Sequence, residues 1–63
     1  MDLRKWNELQ IGDSIQWHGI GKPTEIISSR KGRQNSRWLK FNCKRKEGTW
    51  ELPCSMAKHY NKV

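Results

Sequence analysis

From Arg37 to Arg45 the chain alternates two kinds of side chain, and after Glu47-Gly48 the same alternation resumes in Thr49-Trp50-Glu51-Leu52-Pro53-Cys54. A period of two over two adjacent runs is the signature of half-buried strands, and a short Gly-containing break between them predicts a β-hairpin. Leu39, Phe41 and Cys43 share one face of the first run, and Trp50, Leu52 and Cys54 share one face of the second. If Glu47-Gly48 is a two-residue turn, Cys43 falls opposite Leu52 and Phe41 opposite Cys54, so the two apolar faces coincide. Parity makes this a strong constraint, because a slip of one residue would turn every side chain of one strand to the wrong side. The same register sets Lys44 beside Glu51 on the outer face.

The remaining elements follow from weaker signals. Asp2 is placed to cap a short helix on which Leu3, Trp6 and Leu9 or Gln10 share a face at helical spacing. Gly12-Asp13 reads as a turn, and Ser14-Ile15-Gln16-Trp17 then alternates as a strand with Ile15 and Trp17 inward. Gly19, Gly21 and Pro23 break the chain before the β-branched run Thr24 to Ser28, a second strand. Arg30 to Ser36 has no apolar residue and reads as a connecting loop. Pro53 cannot donate to a ladder and marks a strand end, and Ser55 to Tyr60 is read as one helical turn before a short final strand.

Size explains why the tryptophans matter. A chain of 63 residues buries a small core, and four tryptophans supply much of its apolar area. Trp6, Trp17 and Trp50 fall on inferred apolar faces. Trp38 does not: the alternation that buries Leu39 and Phe41 exposes it beside Lys40, Asn42 and Lys44. We expect one small β-barrel domain over residues 1–63, with residues 1–10 a short helical segment packed on it.

Charge is the feature that bears on function. Eight of the nineteen residues from Ser28 to Lys46 are Lys or Arg, and no acid stands between Glu25 and Glu47. The formal net charge of +7 is thus concentrated in the middle of the chain. Clustered cations attract polyanions, and an aromatic ring among them offers a stacking surface for a base. Arg30, Lys31, Arg33, Arg37, Lys40 and Lys44 are the candidate phosphate contacts, and Trp38 either stacks or wedges on a base or covers the N-terminal helix as part of a second small core. The expected partner is DNA or RNA, bound with weak sequence preference. The alternative is an acidic partner protein, docked on the same basic face by a small accessory or inhibitory module of the kind a phage encodes.

Other chemistry finds little support. Cys43, Cys54, His18 and His59 are enough donors for zinc, yet no Cys-x-x-Cys or His-x-x-x-His spacing fixes a ligand pair. The isolated acids and histidines form no catalytic motif. No enzyme activity, metal or cofactor is therefore expected, and the cysteines are read as free inner-face thiols. With two cysteines, no apolar leader and no long apolar run, the expectation is a soluble protein of a reducing, cytoplasmic compartment, without a membrane span.

The run Leu9-Gln10-Ile11-Gly12-Asp13-Ser14-Ile15, the glycine-broken stretch Ile20 to Ile27, the alternating Trp38 to Cys43, and Gly48-Thr49-Trp50-Glu51-Leu52-Pro53 together resemble small SH3-like barrels. These include KOW modules, Tudor-like modules and the C-terminal domains of retroviral integrases. The resemblance covers roughly residues 9 to 63. It implies a mainly β fold of four or five short antiparallel strands with a short N-terminal helix and a helical turn before the last strand. It also implies binding to nucleic acid or to protein tails. One Tyr and one Phe depart from the Tudor pattern, so a cage for methylated Lys or Arg is not expected.

Overall fold

The computed structural model describes residues 1–43 and 47–63. A short helix α1 (Leu3–Glu8) precedes β1 (Ser14–Trp17) and the long β2 (Thr24–Lys31). A tight turn over Arg33–Asn35 leads to β3 (Arg37–Asn42), followed by β4 (Thr49–Leu52), a 3-10 turn (Cys54–His59) and β5 (Tyr60–Lys62). All neighbouring strands are antiparallel, in the order β4-β3-β2-β1-β5. The fold is mainly β, as the alternation predicts.

Local chemistry sets each boundary. The Asp2 carboxylate accepts from the Lys5 backbone N–H at 2.9 Å and so satisfies one of the unpaired amides at the helix start. The helix stops at Leu9, whose backbone is extended. A turn follows in which Asp13 N–H donates to the Gln10 carbonyl at 3.0 Å and Gln10 N–H donates to the Asp13 carboxylate at 2.9 Å. Gly12 sits there at φ 99°, a conformation costly for any residue with a Cβ.

β2 is shared: Thr24 and Glu25 pair with β1, while Ile26 to Lys31 pair with β3. A bulge lies between Ile26 and Ser28, so Ile26 faces Phe41 but Ser28 faces Lys40. One extra residue bends a strand and reverses the face of everything after it. Arg30 is thereby carried to the outer face opposite Trp38, and Lys31 to the inner face opposite Arg37.

The core consists of Trp6, Leu9, Ile15, Ile26, Leu39, Phe41, Leu52 and Ala57, with Met1, Trp50, Cys54, Met56 and Tyr60 packed around it. α1 closes the inner face of the sheet through Trp6, which is 0% exposed. Among the described residues no helix is long and apolar enough to cross a membrane.

Four expectations are corrected. The β3–β4 register places Phe41 opposite Trp50 and Leu39 opposite Leu52, a shift of four positions from the register of a two-residue turn. Cys43 N–H closes on the Gly48 carbonyl at 3.0 Å, so the connection is a longer loop. Because four is even, parity survives and Leu39, Phe41, Trp50 and Leu52 still share a face; Cys43 and Trp50 are half-buried at its edge. Trp17 shares the side of Ile15 but is 40% exposed, since it lies at the strand end where no second layer covers it. On α1, Trp6 and Leu9 are buried while Leu3, 56% exposed, and Gln10 turn outward. Finally, the Arg30–Ser36 loop is shorter than expected, because Arg30 and Lys31 continue β2.

Candidate nucleic-acid interface

The basic residues gather where β2 ends and β3 begins. Gly32 N–H donates to the Ser36 carbonyl at 2.7 Å and Ser36 N–H to the Arg33 carbonyl at 3.0 Å, so the connection is clamped from both sides. Gln34 takes up the reversal with a left-handed backbone at φ 55°. Arg33 is exposed on this turn. Lys31 is exposed directly before it, and Arg37, half-buried, stands directly after it in register with Lys31.

The outer face carries Trp38 and Lys40, as the even-numbered alternation of β3 predicts, and also Arg30, which the bulge in β2 brings there. Its electrostatics differ from expectation. The Arg30 guanidinium lies over the Trp38 ring, 4.8 Å from its centroid, and its Nε donates to the Glu51 carboxylate at 2.7 Å. Glu51 also faces Lys40 across the β3–β4 ladder. One carboxylate therefore sits between two cations and reduces the charge of this face. The expected partner of Glu51 was Lys44, which lies outside the described residues; Arg30 is the partner observed.

Trp38 is half-buried by its neighbours on that face, whereas α1 packs on the opposite one. It is therefore no part of a second core under the helix. A Cβ built on Gly32 would lie 2.7 Å from the Trp38 Nε1 and 2.8 Å from the Ser36 hydroxyl, so glycine is what lets the ring lie against the turn. Gly32→Ala is expected to lower stability by about 1–3 kcal/mol through this overpacking. A urea midpoint equal to that of the unsubstituted protein would contradict the close fit.

On the inner side the bases form a built site. Asn7, Ser29, Arg30, Lys31 and Arg37 line a cleft of about 410 Å³ between α1 and the β2–β3 pair. Arg37 is held in it by a reciprocal clasp: its Nη1 donates to the Trp6 carbonyl at 3.0 Å, and the Trp6 indole donates to the Arg37 carbonyl at 3.1 Å. The Trp6 carbonyl is in the last turn of α1, where it also accepts from the Leu9 N–H at 3.4 Å and where a cation is favoured. A guanidinium carries five donors and this bond uses one. The Arg30 guanidinium is turned to the outer face, so Lys31 and Arg37, with Ser29 and Asn7, are what the concavity offers, and no carboxylate of a described residue lines it. Such a set suits a phosphate, whose oxygens accept from several donors at once.

Sequence reasoning found these cations but not their division between two faces. Asn7 and Ser29 escaped it because neither carries a charge or motif. The bulge at Ile27, which decides the faces of Arg30 and Lys31, leaves no mark in an apolar-polar pattern where Ser28 to Lys31 are all polar.

A second cluster lies at the other end of the sheet, on β1 and the segment entering β5. Trp17 stacks on His59 with centroids 4.8 Å apart and planes 23° apart, and meets His18 and Tyr60 edge-on. Burial pushes the Tyr60 phenol above its ordinary value of 10.0. The unfolded chain then releases this proton first, so stability declines as pH rises above that value. Among the described residues no group of three or more His, Cys, Asp or Glu side chains comes together, and Cys43 and Cys54 are free thiols.

No protein-family model, no curated protein and no solved structure matches this chain.

Proposed function

We propose that this protein is a small SH3-like module that binds nucleic acid through its phosphate backbone, at the end of the β2–β3 pair. The strand order β4-β3-β2-β1-β5, with a 3-10 turn before the last strand, supports the barrel reading. The cleft lined by Arg30, Lys31 and Arg37 with Ser29 and Asn7 carries the functional reading. Lys31 and Arg37 each meet a phosphate there, Arg33 on the adjoining turn takes the next, and Arg30 and Lys40 extend the path over the outer face. Lys44, outside the described residues, stays a candidate on sequence grounds alone. Trp38, with Arg30 layered over it, offers its remaining edge to a base or sugar.

Phosphate contacts position a polymer without reading its sequence, so discrimination between sequences is expected to be small. Non-specific affinity of this kind lies at a Kd of about 10⁻⁴ to 10⁻⁶ M at physiological salt. The test is a titration of labelled duplex DNA, single-stranded DNA and RNA with the unsubstituted protein, Lys31→Ala and Trp38→Ala. Lys31→Ala should weaken binding to every sequence and flatten the salt slope by about one, while Trp38→Ala should weaken binding with the slope unchanged.

The rival reading, docking on an acidic protein, has a different signature. Partners captured from lysate would persist after nuclease treatment, and no labelled nucleic acid would bind. Loss of all captured partners on nuclease treatment is the outcome expected here.

A further inference from the structure

We propose that His18 and His59 form a two-histidine chelate for a divalent transition metal ion, separate from the basic cleft. The two rings come from segments distant in sequence, which is why no spacing motif announces them. The fold brings them together: Trp17 and Tyr60 are paired in the β1–β5 ladder, and His18 N–H donates to the His59 carbonyl at 2.9 Å. His18 Nε2 and His59 Nδ1 are then 3.1 Å apart.

That spacing suits a shared metal. Imidazole nitrogens bind zinc at about 2.0–2.1 Å, so two of them at ligand angles between square and tetrahedral are roughly 2.8–3.4 Å apart. Without metal the two nitrogens are linked by one N–H···N hydrogen bond, with the donor set by the tautomer. Metal entry requires that proton to leave the shared position, for example to the other nitrogen of its own ring, so that both nitrogens present a lone pair to the ion.

The rings are also held in place. The Trp17 indole stacks on His59 and meets His18 edge-on at 4.8 Å, which restricts both imidazoles. His18 sits at φ 44° with Gly19 following at φ 75°, so the chain reverses immediately after the ligand and leaves the site open to solvent. Imidazole donors without thiolate or carboxylate favour zinc, copper or nickel over magnesium or calcium. Two protein ligands leave the other coordination positions to water or to an anionic ligand.

The experiment is a calorimetric titration of the full chain with zinc chloride, alongside imidazole ¹H–¹⁵N spectra. Saturable binding is expected, with the His18 and His59 ring signals shifting together. His59→Ala and His18→Asn should each weaken binding at least tenfold, and the double variant should be no weaker than the single ones, because one imidazole alone is no chelate. Asparagine tolerates the left-handed backbone at position 18, and the two variants lie on different elements, so loss of fold does not mimic loss of a ligand. Undiminished affinity in both histidine variants, or loss of binding in Cys43→Ser or Cys54→Ser instead, would overturn the assignment, as would no binding at all.

Discussion

Trp6→Ala should leave the protein unfolded at 25 °C. Trp6 is the largest wholly buried side chain, and it lies where α1, β3 and the core meet. Truncating a buried tryptophan costs about 3–5 kcal/mol, which is comparable to the whole stability that one small core supplies. The substitution also removes the indole donor to the Arg37 carbonyl. The N-terminal ammonium before α1 donates to the Ala57 and Tyr60 carbonyls at 2.8 and 2.6 Å, but the six residues of the helix are too short to be helical alone once the Trp6 anchor is lost. The variant should lack the β-sheet signal in far-UV circular dichroism and show no cooperative urea transition. A transition with a midpoint near that of the unsubstituted protein would mean that the helix is dispensable and that the core is centred on Ile15, Ile26, Leu39 and Phe41 alone.

The same residue links stability to the proposed site. Arg37 lines the cleft with its Nη1 bonded to the Trp6 carbonyl, so weakening the helix is expected to disturb the proposed phosphate site as well. Substitutions on α1 that preserve folding, such as at exposed Arg4 or Lys5, should spare nucleic-acid binding.

Much of the fold was legible because the core strands carry alternating side chains. Leu39, Phe41 and Leu52 are buried where parity puts them, and Asp2 caps the helix it precedes. The hairpin register was not legible. Any even shift preserves the facing of Leu39 and Phe41 on Trp50 and Leu52, so patterning narrows the register to a set and turn length chooses within it. Trp17 shows a second limit, since its position in the alternation is that of a core residue but the strand ends before anything covers it.

The candidate site was legible in its composition and not in its geometry. A run rich in Lys and Arg announces a basic surface, but the sequence does not reveal that Glu51 returns from β4 to pair with Arg30. Nor does it show that the bulge divides Arg30 and Lys31 between two faces. The outer face, expected to be the main cationic surface, is partly neutralised. The cleft beside α1 is therefore the anion site proposed here, because Ser29 and Asn7 join Lys31 and Arg37 in a lining with no described carboxylate.

The second large effect is on affinity. Neutralising a phosphate releases condensed counterions, so log affinity falls with log salt at a slope of about −0.9 per phosphate on duplex DNA. Arg30, Lys31, Arg33, Arg37 and Lys40, if each engages one phosphate, give a slope of roughly −4.5. Raising salt from about 50 to 200 mM should then weaken binding several hundredfold. A surface that binds through apolar docking would lose little over the same range. Glu51→Gln should tighten binding, because the carboxylate paired with Arg30 and facing Lys40 would no longer repel a phosphate.

The most direct measurement is the affinity for a labelled duplex at several salt concentrations, for the unsubstituted protein and for Lys31→Ala. A slope of about −4 to −5, flattened by about one in the variant, is the result predicted here. A slope near zero, or one that Lys31→Ala leaves unaltered, would contradict the cleft beside α1 as the phosphate site.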